Sequence, residues 1–179
     1  ITQQSDVEQT NNRRLAQISH DLIPKQGNHW NIHNLVTLKR QSLSRILYYD
    51  NLYRKIIDVP GMIMEFGVQW GATLSLLLNY RGIYEPFNIS RKVIGFDTFA
   101  GFASVDDKDG GFTTVGDYST LADYESQLDE ILGIQEQYSP NTHIKRYELV
   151  KGDASKTIDI WLKNNPHAII AMAIFDMDV

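Results

Sequence analysis

The sequence contains no cysteine. That excludes a disulfide framework, a zinc–thiolate centre and a cysteine nucleophile. It also lacks an excess of positive charge: 17 Lys and Arg against 22 Asp and Glu leave a formal net charge of -5. A surface that tracks a phosphate backbone needs the opposite balance, so nucleic acid is not expected as a partner. Long hydrophobic runs are missing as well. The longest, Ala168 to Phe175, falls well short of the roughly 20 apolar residues that cross a bilayer. The polar start, Ile1 to Asn12, has no apolar stretch of the kind a signal peptide carries. The expectation is a cytoplasmic protein with no membrane partner.

What is present reads as an ordinary folded chain, 42% hydrophobic and 22% charged over 179 residues. Residues 1–58 predict an N-terminal helical segment. One short helix is marked by Leu15, Ile18 and Leu22 and closed by Pro24 and Gly27. One or two amphipathic helices follow between His33 and Ile57, where apolar residues recur every three or four positions. Pro60-Gly61 breaks that pattern. Residues 59–179 then alternate. Strands are predicted at Met62–Phe66, Lys92–Phe96, Tyr147–Val150 and Ala168–Phe175, and helices at Ala72–Tyr80, Leu121–Gln137 and Ala154–Asn164. Short, wholly apolar strands separated by helices predict an α/β fold with a doubly wound, Rossmann-like parallel sheet, its strands buried on both faces. The chain stops directly after the fourth strand, where such a sheet continues, so the expectation is a truncated sheet. That would leave Ala168–Phe175 as an exposed edge, and pairing of copies, a homo-oligomer, is expected through it or through the N-terminal helices.

Candidate chemistry collects at the strand ends. The first strand runs into Glu65-Phe66-Gly67-Val68-Gln69-Trp70-Gly71. Glycines at a strand-to-helix turn let a ligand approach the backbone and free helix N–H groups, although a tight turn alone explains them equally. The full G-x-G-x-x-G fingerprint is absent, so a pyrophosphate cradle is not indicated. The second strand ends in Asp97-Thr98, and an acid there can accept both hydroxyls of a ribose. Alone it reads as a cap or a solvated strand end; beside the glycine turn, adenosine binding is the better reading. Asp153, after the third strand, can cap the next helix, lie at the adenine edge, or do both. Asp176 and Asp178 follow the fourth strand on the same side. They are either exposed acids opening a loop or oxygen ligands for a hard cation such as Mg²⁺. Trp70 is either a core aromatic or a flank of the ligand. Asp106, Asp107, Asp109 and Asp117 do not match an EF-hand spacing and read as a solvated loop.

Several of these segments together resemble a known family. Val59-Pro60-Gly61-Met62-Ile63-Met64-Glu65-Phe66-Gly67-Val68 with Gly71, and Val93-Ile94-Gly95-Phe96-Asp97-Thr98-Phe99-Ala100-Gly101-Phe102, are similar to the macrocin O-methyltransferases, as are Lys151-Gly152-Asp153-Ala154 and Phe175-Asp176-Met177-Asp178-Val179. The resemblance spans roughly residues 35–179. It implies a class I methyltransferase sheet and S-adenosyl-L-methionine as cofactor. Glu65, Gly67 and Gly71 would line its methionine and ribose side, Asp97 with Thr98 would take the ribose, and Asp153 with Ala154 would lie by the adenine. Asp176 would act in catalysis, with Asp178, by holding Mg²⁺ against a hydroxyl of a sugar or similar small natural product. The family's further metal-binding acids and candidate base do not occur in this sequence. A nucleotide-sugar or NAD-binding oxidoreductase, which shares the acidic second-strand tip, and an incomplete domain that binds only the cofactor or a partner chain, remain the alternatives.

Overall fold

The computed structural model of the chain describes residues 5–102 and 114–177. It divides into two compact units, Ile1–Tyr48 and Tyr49–Val179. In the first, α1 (Asp6–Leu22) opens on Ser5, whose side chain accepts a hydrogen bond from the Glu8 N–H. Asp6 and Glu8 lie in the first turn, where the helix dipole favours acids. With 17 residues, α1 is longer than its sparse apolar residues suggest. Pro24 follows its end inside a 3₁₀ turn, and Gly27 takes a left-handed φ of 62°. A second turn (Gly27–His29), α2 (Trp30–His33) and a third turn (Asn34–Thr37) complete this run. Ser19 donates to the Asn34 side chain at 3.1 Å and accepts from the Thr37 hydroxyl at 3.2 Å, tying the last turn back to α1.

α3 (Arg40–Arg54) begins in the first unit and ends in the second, where its Tyr49 and Tyr53 are buried. The second unit is built on four parallel strands: β1 (Met62–Phe66), β2 (Val93–Asp97), β3 (Tyr147–Lys151) and β4 (Ile170–Phe175). Their order is β3-β2-β1-β4. The chain therefore runs outward from β1 through β2 to β3, then crosses back so that β4 lies on the other side of β1. Helices α4 (Ala72–Tyr84), α5 (Tyr124–Glu136) and α6 (Ala154–Asn164) connect them.

Alternation along the strands sorts their side chains. Met62, Met64, Phe66, Ile94 and Phe96 form one buried cluster with Trp161 of α6. Ile63 and Glu65 pair in register with Val93 and Gly95 and face the other way. A Cβ on Gly95 would stand 2.7 Å from Val68 and 3.0 Å from Leu74 of α4, so α4 covers that second face. Helices on both faces make the sheet doubly wound, as the sequence pattern predicts. The apolar β4 lies at the open edge that the sequence pattern predicts. Phe175 is 70% and Ile170 45% exposed, because β4 pairs only with β1 among the described residues. Phe175 still stacks on Phe66 at 4.8 Å, and Phe66 on Phe96 at 4.9 Å, a row of rings across three strands.

The end of the sheet where the strands begin is closed by buried arginines. Arg91, just before β2, donates to Glu85 at 2.9 Å and to the carbonyls of Ile56 and Val59, each at 2.8 Å, and of Gly61 at 2.6 Å. Tyr53 donates to the same Glu85 at 2.6 Å. Arg146, just before β3, pairs with Glu136 at 3.0 Å and donates to the carbonyls of Pro140 and Pro86. Arg81 of α4 pairs with Glu136 from its other side. Removing one partner from such a buried set leaves an uncompensated charge, which costs about 3–5 kcal/mol.

Candidate functional site

Because the strands are parallel, all four of their C-terminal tips lie at the opposite end of the sheet. Three main-chain hydrogen bonds stitch the tips together. Asp176 N–H donates to Phe66 at 2.9 Å, Gly67 N–H to Phe96 at 3.0 Å, and Gly152 N–H to Asp97 at 2.8 Å. Gly67, Asp97, Gly152-Asp153 and Asp176, drawn from four separate segments, thus come to one edge. The reversal of strand order at β1 opens a crevice there, the usual ligand position in an open α/β sheet.

Asp97 is the best organised group. Its Oδ2 accepts the Gln69 N–H at 2.8 Å and its Oδ1 the Phe99 N–H at 2.6 Å. These bonds join the turn after β1 to the turn after β2 and fix the carboxylate plane. A carboxylate offers about four acceptor positions, so each oxygen keeps one for a further donor. Two adjacent hydroxyls, as on a ribose, match that remaining capacity. The chemistry of this site therefore fits an adenosine cofactor. Thr98 is used inside its own turn: its hydroxyl donates to the Gly101 carbonyl and accepts from Ala100 N–H at 3.1 Å.

Gly67 and Gly71 have reasons in the protein itself. Gly67 has φ 90°, and a Cβ there would stand 2.4 Å from the Asp176 carbonyl oxygen. Gly71 has φ 73° as the residue before α4, and a Cβ would meet Leu128 of α5 at 2.5 Å. Glu65 is buried, 1% exposed, on the α4 face of the sheet beside Gly95. Asp153 caps α6: Oδ1 accepts from Ser155 N–H at 3.0 Å and from its hydroxyl at 2.6 Å, and Oδ2 pairs with Lys156 at 3.0 Å. The Ser155 side-chain hydrogen bond first, then Lys156, hold its carboxyl below the ordinary range. Ala154 packs against the Phe96–Trp161 cluster. Trp70 is no core residue. It is 47% exposed, with its ring edge-on to Tyr124 at 4.8 Å and its carbonyl accepting the Tyr124 hydroxyl at 3.1 Å.

The fit to Mg²⁺ is different. Asp176 is exposed at the β4 tip, and no three His, Asp or Glu side chains gather as a metal site among the described residues. A hard cation wants six or more oxygens, several from carboxylates. Asp178 lies outside the described residues, as do Asp106, Asp107 and Asp109.

Sequence reasoning missed one residue at this edge. Gln69 adopts φ 48°, a left-handed conformation for which a glutamine gives no sign in the sequence. Tyr147 and Lys151 carry the Tyr-x-x-x-Lys spacing of some oxidoreductases. They lie on a strand instead of a helix, and the Tyr147 hydroxyl is tied to the Asp129 carbonyl at 2.8 Å. Among the described residues no helix is long and apolar enough to cross a membrane.

No protein-family model matches the chain, and no curated protein matches it. Solved structures do. A crystal structure of CalS11, a calicheamicin methyltransferase, is 36% identical, with a TM-score of 0.89 over 99% of this chain and 70% of that one. The apo structure of CalS11, described as a TDP-rhamnose 3'-O-methyltransferase of calicheamicin biosynthesis, is 33% identical, with a TM-score of 0.80 over 100% of this chain and 70% of that one. Similarity at that level across nearly the whole chain, with the same sheet beneath it and an adenosine-compatible carboxylate at the crevice, decides against the oxidoreductase: the chain belongs to the class I S-adenosylmethionine-dependent methyltransferases, in the family of CalS11.

Proposed function

We propose that the chain methylates a hydroxyl of a sugar, free, nucleotide-linked or attached to a natural product. The likeness to CalS11 over 99% of the chain carries this reading of the acceptor. The segments that resemble the macrocin O-methyltransferases support the same acceptor class.

S-adenosylmethionine supplies a methyl carbon made electrophilic by its sulfonium. The chain's contribution is alignment, since a displacement at carbon depends on bringing the two partners into line. Asp97 takes the ribose hydroxyls, with its plane already set by Gln69 and Phe99 N–H. Asp153 and Ala154, after β3, border the adenine. Glu65 and the Gly67–Gly71 turn border the methionine end. Asp176, at the tip of β4, faces the crevice from the side away from β2 and orients the accepting hydroxyl. Asp176 and Asp178 are the residues that would hold Mg²⁺ against that hydroxyl; methylation that survives a chelator would refute a role for the metal. A cytoplasmic homo-oligomer belongs to the same reading, and the acidic balance of charge speaks against nucleic acid as a partner.

Calorimetric titration with S-adenosylhomocysteine tests the core of this reading. Loss of hydrogen bonds to a charged group is worth about 1.5–3 kcal/mol, so Asp97→Ala should weaken binding roughly 10- to 100-fold. Unchanged affinity in Asp97→Ala would refute the assignment.

A further inference from the structure

We propose that Gln69 binds the amino-acid end of S-adenosylmethionine through its side-chain carboxamide. The inference rests on the cofactor reading above and adds a residue to it.

Gln69 sits between two left-handed glycines, Gly67 at φ 90° and Gly71 at φ 73°, and is itself left-handed at φ 48°. Glycine fills such a position without steric conflict, whereas a residue with a Cβ is disfavoured there. Asparagine and aspartate tolerate the conformation through local hydrogen bonds, as Asn141 and Asp123 do elsewhere in the chain; glutamine has no such advantage. Its main-chain N–H is committed to Asp97 Oδ2, and that bond holds the backbone in this state. Its side chain is half-buried at the crevice end, and its carboxamide makes no hydrogen bond to any described residue. A turn that retains a disfavoured glutamine, fixes its backbone on the cofactor carboxylate and leaves its side chain without a partner among the described residues is arranged around the side chain. Strained residues cluster at ligand sites for this reason.

The order of the strands says which part of the ligand it meets. The tips run β3, β2, β1, β4. Asp153 on the β3 side borders adenine, and Asp97 on β2 takes ribose. The next tip in the row, the β1 turn with Gln69, then falls beside what lies beyond the ribose, the homocysteine portion. That portion ends in an ammonium and a carboxylate. A carboxamide offers one acceptor for the first and two donors for the second.

The test compares S-adenosylhomocysteine with 5'-methylthioadenosine, which lacks the amino-acid end, on the unaltered chain, Gln69→Gly and Asp97→Ala. Gln69→Gly keeps the backbone conformation, so its melting temperature should be unchanged or higher. Its affinity for S-adenosylhomocysteine should fall about tenfold, while its affinity for 5'-methylthioadenosine stays within about twofold. Equal affinity of Gln69→Gly and the unaltered chain for S-adenosylhomocysteine would overturn the proposal, as would equal weakening of both ligands or a clear drop in melting temperature. Asp97→Ala should weaken both ligands alike. If it weakens neither, the ribose assignment fails on its own, and the ratio of the two affinities in Gln69→Gly still answers for Gln69.

Discussion

Gly67→Ala separates two reasons for a glycine at the site. The first is protein packing: φ is 90°, and a Cβ would lie 2.4 Å from the Asp176 carbonyl oxygen and 2.8 Å from its carbon. Both are backbone atoms of the neighbouring strand tip, so no side-chain rotation relieves the contact. The positive φ costs about 1–2 kcal/mol for a residue with a Cβ. Forcing extra volume into a filled site costs about 1–3 kcal/mol more. The sum, roughly 2–5 kcal/mol, lowers the melting temperature by about 2–4 °C per kcal/mol in a chain of this size. Gly116 supplies the control: its φ is 89°, yet the nearest atom to its Cβ would be 4.0 Å away. Gly116→Ala should show the conformational cost alone, about 1–2 kcal/mol. Differential scanning fluorimetry on both variants, followed by titration with S-adenosylhomocysteine, reads the difference. If Gly67→Ala melts with Gly116→Ala while losing cofactor affinity, the contact with Asp176 is not the reason for the glycine, and ligand approach is.

Other consequences follow from the same contacts. Glu136→Ala leaves Arg81 and Arg146 buried without their carboxylate and should cost about 3–5 kcal/mol by urea denaturation, against within about 1 kcal/mol for Asp129→Ala, whose partner Lys145 is 56% exposed; equal effects would show that the buried set is not the stabilising one. The Tyr53 hydroxyl is held far above its ordinary range, first by burial and then by its bond to Glu85. Its stabilising contribution is therefore complete below the unfolded value near 10 and declines as pH rises beyond it. Melting temperature should fall more steeply between about pH 10 and 11 in the unaltered chain than in Tyr53→Phe, and parallel curves would contradict this. Asp153, held below its ordinary range by Ser155 and Lys156, contributes at pH above the unfolded value near 4, and that contribution is lost as pH falls through the lower folded value. Asp153→Ala should thus destabilise α6 at neutral pH, seen as faster amide exchange at its first turn, and should lose less stability on acidification.

Period and punctuation made most of the sheet unit legible. β1 and α6 fall where the apolar run and the Asp153 and Asn165-Pro166 signals place them. The helix expected from Leu121 starts at Tyr124 because Asp123 is left-handed, at φ 59°. The four tips were recognisable because parallel strands put every C-terminal end on one side. Strand order was not, since alternation of strands and helices is the same for any arrangement. The exposure of Phe175 follows from the open edge expected at Ala168–Phe175. The buried arginines were missed because Arg91 and Arg146 precede strands in polar stretches, where an arginine ordinarily reaches water. Their partners, Glu85 and Glu136, are distant or unremarkable in the sequence, and only the fold makes them meet.

The arginine closure also bears on how sequences of this kind can drift. Carbonyls from Ile56, Val59, Gly61, Pro86 and Pro140 are all held by two guanidinium groups at the end where the strands begin. The connections on that side are consequently fixed to one another, and an altered residue there disturbs several at once. At the crevice end main-chain bonds that do not depend on side-chain identity join the tips, with Gly67, Gly71 and the Asp97 carboxylate as fixed points. Away from those three positions, substitutions can accumulate in the crevice loops and change what is accepted as substrate, while the buried arginine set holds the opposite end of the sheet. Apart from those three positions, tolerance to mutation should therefore be polarised along the strand axis, low at one end and high at the other.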